Sequence, residues 1–241
     1  MLKIDLHIHT IASGHAQSTI LEYIERAKKL KMKTIGIADH GPGDFEALVS
    51  EIYFKTLERI PRKVGNIRVL KGIEANIIDA QGNIDISEKL VERLDYVMAN
   101  FHAETSYKNK GIKENTKATI NAIRSGKIDI ITHPFATERF PIDIGKISDE
   151  ACKNNVLLEI NLSYFFGNKI KDSTVPNAKL MIDIARKHSK KIIIGSDAHN
   201  IWELGDDSAF MKKFKKMLGL TNNLIINNYP RELFKLLKIN E

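Results

Sequence analysis

The chain has 241 residues, of which 43% are hydrophobic and 28% charged, and its formal net charge is +7. This balance excludes a disordered or fibrous chain and leaves enough apolar residues for a sizeable core. The positive charge favours anionic partners, such as phosphate esters or nucleic acid, without selecting between them. Because Cys152 is the single cysteine, an internal disulfide and a thiolate metal cluster are both excluded.

Hydrophobic runs are short along the whole chain. Lys3, Asp5 and His7 interrupt the first of them, and no later run approaches the roughly 18 apolar residues of a membrane-spanning helix. We therefore expect a cytoplasmic protein that does not enter a membrane.

Short runs of β-branched residues alternate with helical patterns, which is typical of βα units that build a parallel sheet. Seven strands are predicted, at residues 3–9, 34–39, 67–75, 95–101, 129–132, 156–161 and 191–196. A helix is predicted from Thr19 to about Lys31, because Thr19 and Glu22 have the spacing of a capping box. Further helices are predicted at residues 45–59, 112–124, 148–154, 177–188 and 203–217, and after Pro230.

No linker or internal repeat interrupts this alternation, so we expect one α/β domain over residues 1–241. Barrels of about 200 to 250 residues routinely fold as one unit. Residues 224–226 are the candidate for a short eighth strand. Seven strands with a loosely closing eighth segment fit the lengths better than a closed eight-stranded barrel.

Seven of the eight histidines fall at or just after the carboxyl end of a predicted strand. The loops at that face of a parallel barrel converge on one pocket, so these side chains are expected to be neighbours. His7 and His9 lie two residues apart in a strand and therefore face the same side. With one glutamate and one aspartate at similar positions, the candidate metal ligands are His7, His9, His15, His40, Glu74, His102, His133, Asp197 and His199.

A single histidine at such a position is more often hydrogen-bonded or exposed than bound to a metal. Nine imidazole and carboxylate groups at one rim are a different case, because many would be desolvated without partners. Divalent cations resolve that problem. Each metal with an open position takes about three protein ligands, so nine suffice for two or three metals, of which three is preferred. These donors suit zinc, iron or manganese.

Seven short motifs resemble, in the same order, those of the polymerase and histidinol phosphatase (PHP) superfamily. They are DLHIHT at 5–10, ADHG at 38–41, GIEAN at 72–76, FH at 101–102, THP at 132–134, EIN at 159–161 and GSDAH at 195–199. The chain is most similar to small stand-alone phosphatases of the YcdX type. That resemblance implies a distorted, TIM-like (β/α)7 barrel, phosphoesterase activity and a trinuclear site, usually described with zinc.

The resemblance also implies how the ligands divide among three metals. One metal would be held by His7, His9, Glu74 and Asp197. Glu74 would bridge to a second metal held by His102 and His133, and a third would be held by His15, His40 and His199.

These observations predict a metal-dependent phosphoesterase that hydrolyses a small phosphomonoester with metal-activated water. Glu74, as the metal bridge, and Asp197, which would handle the leaving-group proton, are the predicted catalytic residues. Asp5 is expected to orient a ligand imidazole through a hydrogen bond, with a buried partner of a backbone group as the alternative. Arg139 is the candidate for gripping the substrate phosphate.

Four alternatives stay open at this point. A histidinol-phosphatase-like enzyme shares several motifs, although such enzymes are usually longer. An amidohydrolase-type barrel commonly carries a lysine after its fourth strand, where this chain has Asn100, Phe101 and His102. A nuclease or nucleotide phosphatase suits the positive charge but would use a series of stacking aromatic residues that the chain lacks. A non-enzymatic metal-binding module is the fourth. The sequence predicts neither the natural substrate nor the oligomeric state.

Overall fold

Parallel strands form the wall of a nearly closed barrel in the computed structural model, which describes residues 2–166, 170–205 and 207–239. In chain order the strands are β1 (Ile4–Ile8), β2 (Thr34–Ile37), β3 (Lys63–Val64), β4 (Ile67–Asn76), β5 (Tyr96–Asn100), β6 (Ile130–Ile131), β7 (Leu157–Asn161) and β8 (Ile193–Gly195). β3 pairs antiparallel with β4 as a hairpin. The other seven pair in parallel in chain order, which confirms the predicted seven-stranded α/β barrel.

The two ends of the sheet meet beside β1. Ile8 forms a parallel bridge with Ala198, just after β8. The His9 amide donates to the Ala198 carbonyl at 2.9 Å, and the Ala198 amide donates to the His7 carbonyl at 3.3 Å. The barrel is therefore closed by the residues that border the candidate site.

The segment considered for an eighth strand contributes a single bridge instead. Ile225 bridges Ile192 in parallel, and 3-10 helices at Asn222–Leu224 and Ile226–Asn228 flank it. Because these helices direct the neighbouring backbone groups into local hydrogen bonds, the segment does not extend into a strand.

The helices are α1 (Ile20–Lys29), α2 (Glu51–Thr56), α3 (Glu88–Val91), α4 (Gly111–Arg124), α5 (Ile144–Lys153), α6 (Thr174–Lys187), α7 (Ser208–Met217) and α8 (Pro230–Leu236). The capping box predicted for α1 is present, since the Glu22 carboxylate accepts from the Thr19 amide at 2.7 Å and the Thr19 hydroxyl accepts from the Glu22 amide at 3.4 Å. No helix in the described ranges is long and apolar enough to cross a membrane.

Two predicted helices begin later than expected. Residues 45–50 are not helical, because the Phe45 amide donates to the Glu104 carbonyl and the Glu46 amide donates to the Asp44 side chain. Residues 201–205 form turns, in which the Asn200 side chain accepts from the amides of residues 202 and 203. In both places an Asx side chain satisfies backbone donors that a first helical turn would leave free.

Two short elements were not predicted, and two helices begin early, α6 by three residues and α5 by four. β3 and α3 have two and four residues, too few to show a periodic pattern. α5 begins four residues before the expected position, since the Asp143 side chain caps it by accepting from the Lys146 amide at 3.0 Å.

The interior of the barrel is apolar at the amino ends of its strands and polar at their carboxyl ends. Leu70 and Glu74 on β4 share the inward face, as do Tyr96 and Asn100 on β5. The Tyr96 ring fills the apolar half. A Cβ added to Gly36 or to Gly72 would lie 2.3 Å from its nearest Tyr96 atom, so only glycine admits this ring. α8 contributes Leu233 and Phe234 to the same apolar cluster.

Replacing Tyr96 with phenylalanine tests this apolar half. The Tyr96 hydroxyl donates to the Leu6 carbonyl at 2.6 Å, and losing a buried donor costs about 1–3 kcal/mol. Urea unfolding of Tyr96→Phe should show a free energy of unfolding lower by that amount. Tyr229→Phe is the matched control, because Tyr229 is exposed. Equal midpoints for the two variants would contradict the assigned hydrogen bond.

Candidate metal centre

The seven predicted histidines lie together at the carboxyl end of the barrel. Each imidazole centroid is within 6.0 Å of another of the set, and the closest pair, His9 and His40, is 4.4 Å apart. Glu74 and Asp197 lie among these rings. The structure therefore brings together all nine residues that the sequence selected.

Four donor atoms form the deepest group of this cluster: His7 Nε2, His9 Nε2, Glu74 Oε2 and Asp197 Oδ1. Their separations are 3.0 Å between the two imidazoles, 3.3 and 3.4 Å from those imidazoles to Glu74, and 3.5 and 3.2 Å to Asp197. Ligands bound at about 2.0–2.1 Å to one tetrahedral zinc ion lie about 3.3 Å apart. This group has the size of the coordination shell of one metal ion.

The other oxygen of Glu74 faces a second group. Its Oε1 atom lies 3.1 Å from His133 Nε2 and 3.4 Å from His102 Nε2. His102 Nε2 is buried and has no hydrogen-bond partner among the described residues. A buried donor atom that is close to a carboxylate yet not hydrogen-bonded to it suits a shared ion.

His40 and two further histidines extend the cluster towards solvent. His40 Nδ1 lies 3.2 Å from Glu74 Oε2 and is likewise buried without a hydrogen-bond partner in the described chain. His15 Nε2 and His199 Nε2 are 3.0 Å apart. Ligand atoms of His9, His40 and His199 lie within 4.8 Å of one another, so this group could also hold a metal ion.

In four of these histidines the second ring nitrogen contacts an oxygen atom at 2.6–3.1 Å, while His133 Nδ1 contacts the Asn100 side-chain nitrogen at 3.2 Å and His15 Nδ1 lies 3.3 Å from Glu46 Oε2. The first four contacts join His7 Nδ1 to Glu159 Oε1 at 2.7 Å, His9 Nδ1 to Ser13 Oγ at 3.1 Å, His102 Nδ1 to Asn76 Oδ1 at 2.6 Å and His199 Nδ1 to the Asp197 carbonyl at 2.9 Å. Such partners fix the tautomer and the ring orientation of a metal ligand. They direct the Nε2 atoms of the four rings towards the cluster.

Asp5 does not have the role that its strand position suggested. Its Oδ1 atom accepts from the backbone amides of His7 and Ser196, each at 3.2 Å, and burial raises the pKa of Asp5 to about 6. Asp5 therefore supports the backbone of a ligand residue, while Glu159 contacts the ring. Sequence reasoning missed Glu159, although it lies in the EIN motif and shares the inward face of β7 with Asn161.

Charges inside the cluster are strongly coupled. Burial alone would lower the pKa of His7, but the carboxylates of Glu159 and Glu74 raise it well above its usual value. Burial would raise the pKa of Glu74, yet the neighbouring His7 and His102 hold it well below its usual range. The charges of these imidazoles and carboxylates therefore favour each other inside the cluster. Metal ions would displace protons from these groups, since ligand groups lose protons on binding.

The Asp39 side chain organises the loop after β1. Its oxygens accept from the Thr10 amide at 2.6 Å, the Thr10 hydroxyl at 2.9 Å, the Ser13 hydroxyl at 2.7 Å and the Tyr53 hydroxyl at 2.5 Å. Ser13 in turn contacts His9 Nδ1. Asp39 therefore fixes the position of a ligand without facing the cluster itself.

The cluster lies in a cavity of about 610 Å³. One wall is apolar and includes Phe101, Phe140, Ile142 and Tyr164. The exposed charged residues of the lining are Arg139, Lys171, Glu46, Glu104 and Glu138, whereas the Asp44 carboxylate is buried 4.0 Å from His40 Nδ1. The Arg139 side chain is 74% exposed, and its Nη1 atom lies 3.4 Å from Glu104 Oε1.

The sequence is similar to bacterial proteins of the same length. A protein of Proteus mirabilis named a probable phosphatase is 38% identical over 240 residues, which are 99% of this chain and 95% of the relative. One of Clostridium acetobutylicum with the same kind of name is 34% identical over 235 residues, or 98% and 94% of the two chains. The model of the RNase P subunit p30 family matches residues 2–235. The chain belongs to the family of these phosphatases, within the barrel superfamily that includes RNase P subunit p30.

Solved structures share the fold at low sequence identity. HisK of Listeria monocytogenes superposes with a TM-score of 0.62 at 16% identity, covering 86% of this chain and 99% of that one. Histidinol phosphate phosphatase of Lactococcus lactis, solved with zinc, L-histidinol and phosphate, gives 0.55 at 15%, covering 99% and 94%. A chain of archaeal ribonuclease P with mature tRNA gives 0.59 at 15%, covering 98% and 90%.

These likenesses confirm the resemblance to the PHP superfamily and the distorted TIM-like barrel. The greater length expected of histidinol phosphatases stays a prediction, since 94% of the Lactococcus lactis chain is covered by 99% of this one.

Removing the Asp39 carboxylate should disturb both the loop and the cluster. Asp39→Ala leaves the Thr10 amide and the Ser13 hydroxyl without their acceptor, and because each unsatisfied buried donor costs about 1–3 kcal/mol, we expect the free energy of unfolding to fall by at least about 3 kcal/mol. Tyr53→Phe removes one of the same hydrogen bonds and should cost about 1 kcal/mol. Denaturant unfolding of both variants gives the comparison. Equal losses would show that Asp39 does not organise this loop.

Proposed function

We propose that this protein is a metal-dependent phosphatase that hydrolyses a small phosphomonoester with metal-activated water. The observation that carries the proposal is the group of four donor atoms, 3.0–3.5 Å apart, in a cavity whose Glu74 also faces a second pair of imidazoles. Bound divalent metals would lower the pKa of a water molecule and neutralise charge on the phosphoryl oxygens.

The proposed site holds three divalent ions, preferably zinc, and the same nitrogen and oxygen donors also suit iron or manganese. The first ion is assigned to His7, His9, Glu74 and Asp197, the second to Glu74, His102 and His133, and the third to His15, His40 and His199. The unpartnered buried His102 Nε2, 3.4 Å from Glu74 Oε1, supports the second ion, and His40 lies close enough to Glu74 and to His199 to serve either neighbouring ion.

Three residues, Glu74, Asp197 and Arg139, are assigned the remaining roles. Glu74 presents one oxygen to each of two ligand groups and would hold them at a fixed separation. Asp197 Oδ2 accepts from the Asn161 side chain at 3.1 Å and the Ser163 hydroxyl at 3.2 Å, beside the cavity. Asp197 is proposed to handle the leaving-group proton, although the neighbouring His7 and His9 hold the pKa of its carboxyl well below the usual range. Arg139, at the mouth of the cavity, is proposed to contact the substrate phosphate.

The cavity favours a small monoester over a polynucleotide. Its volume of about 610 Å³ lies within the range of about 300–1,000 Å³ that is usual for small-molecule sites. Its exposed lining carries three carboxylates and two basic side chains, so the cavity is less favourable to a polyanion than the net charge of +7 suggests. Histidinol phosphate, the ligand class of the Lactococcus lactis structure, is one candidate substrate.

The alternatives from other reaction classes have less support. His102 follows Asn100 and Phe101 after β5, without the lysine expected of an amidohydrolase. The curated relatives are named phosphatases, which opposes a structural metal-binding module without activity.

Alanine at His7 or Glu74 should lower metal content and phosphatase rate together. Each substitution removes donors from the deepest group, and we expect the rate to fall by at least about a hundredfold. His188→Ala is the matched control, because His188 contacts Asp149 at 2.8 Å on α5 and lies outside the cluster. Bound metal is measured by mass spectrometry. Full activity in His7→Ala and Glu74→Ala would contradict the proposed site.

A panel of phosphoesters tests the reaction itself. Metal-loaded protein should release phosphate from monoesters faster than from diesters or short oligonucleotides, and histidinol phosphate is included. Two or three metals per chain are expected. Turnover of oligonucleotides alone, falling steeply with salt, would favour the nuclease instead. No turnover of any ester by protein with bound metal would favour the structural module.

A further inference from the structure

Glu159 joins three strands that carry candidate ligands. It is fully buried on β7, with Oε1 2.7 Å from His7 Nδ1 on β1. Its Oε2 atom accepts from the His133 amide, after β6, at 3.0 Å and from the Asn161 side chain at 3.4 Å. The same Asn161 amide group donates to Asp197 Oδ2, after β8. The Glu159 carboxylate therefore contacts His7 and His133 directly and is linked to Asp197 through the Asn161 side chain.

The surroundings of Glu159 leave it little freedom. A Cβ added to Gly195 would lie 2.2 Å from Glu159 Oε1 and 2.8 Å from His7 Cβ, so a glycine is needed where the carboxylate meets the imidazole. His133 has φ of +30°, which is unfavourable for a residue with a side chain. The hydrogen bond from its amide to Glu159 helps to hold that backbone conformation.

The two histidines that contact Glu159 also flank the two oxygens of Glu74. His7 Nε2 lies 3.3 Å from Glu74 Oε2, and His133 Nε2 lies 3.1 Å from Glu74 Oε1. A carboxylate that accepts from Nδ1–H leaves the Nε2 lone pair of His7 available and increases its basicity. Glu159 thus contacts one ligand residue of each group, His7 through its Nδ1 atom and His133 through its backbone amide.

We propose that Glu159 is a positioning residue that sets the metal affinity of the site by holding His7 and His133 each against a different carboxylate oxygen of Glu74. The proposal rests on the proposed metal centre. Glu159 touches neither substrate nor the reacting atoms in this role. Its contribution is the orientation and basicity of one imidazole together with the backbone position of the other.

Glu159→Gln is the first test, because it keeps the size of the side chain but removes its charge and one of its two acceptor oxygens. Loss of such a partner typically lowers metal affinity about 10–100-fold, and we expect that change in zinc affinity. Metal-free protein is titrated with zinc in competition with a chromophoric chelator, and cobalt(II)-loaded protein is compared by its visible absorption spectrum, which should change.

Asp129→Asn is the matched control. Asp129 is a largely buried carboxylate that accepts from the Val97 amide at 2.9 Å, at the amino end of β6 and away from the cluster. The zinc affinity and the cobalt(II) spectrum of Asp129→Asn should equal those of the wild type. If Glu159→Gln does not fold, Glu159→Asp takes its place, because it keeps the charge but withdraws the carboxylate by one methylene. Its zinc affinity should also fall.

Wild-type zinc affinity and an unchanged cobalt spectrum in a folded Glu159 variant would overturn the proposal, whatever the phosphatase rate. A wild type that binds zinc but hydrolyses no phosphoester would overturn the proposed function alone, since the affinity loss in Glu159→Gln would still be measured. A wild type that binds no divalent metal would overturn both. Lower affinity and an altered spectrum in Glu159→Gln, with neither change in Asp129→Asn, would support Glu159 as a positioning residue.

Discussion

Glu74 is the group on which the arrangement of the site depends. Its two oxygens lie within 3.4 Å of ligand nitrogens from five histidines, which are His7, His9, His40, His102 and His133. Those histidines come from β1, β2, β5 and β6 or the residues that follow them. A buried carboxylate with so many close imidazoles requires positive charge around it, from protons or from metal ions. The imidazoles at the rim lie where protons or metal ions bound to them would supply this positive charge.

The barrel supplies that arrangement because each strand has two different halves. On β4 the inward face changes from Leu70 through Gly72 to Glu74, and on β5 it changes from Tyr96 to Asn100. Apolar packing around Tyr96, at the amino ends of the strands, stabilises the barrel below the site. The carboxyl ends of the strands can then carry buried polar and charged groups, which lower the stability of the fold. The apolar halves of the same strands supply the hydrophobic stabilisation that compensates for them.

Much of the site could be predicted because its residues follow a simple positional rule. A histidine directly after a strand must lie at the carboxyl face of a parallel barrel, whatever the helices do, so the inclusion of His102 and His133 depended only on strand ends. Asp5 was misjudged because the alternation of a strand fixes the side of the sheet but not the partner. Its carboxylate reaches backbone amides, and Glu159 from another strand reaches the imidazole instead. Contacts of that kind join residues 152 positions apart, and no local pattern in the sequence reports them.

The bridge between Ile8 and Ala198 has a consequence for how the barrel is held together. It joins the first strand to the last, and candidate ligands stand on both sides of it: His7 and His9 on one, Asp197 and His199 on the other. Ions bound by both sides would cross-link the first and last strands of the barrel where they meet through a single bridge. Bound metal ions would then stabilise the closed barrel as well as take part in the reaction. Metal exchange would be coupled to separation of β1 from the end of β8.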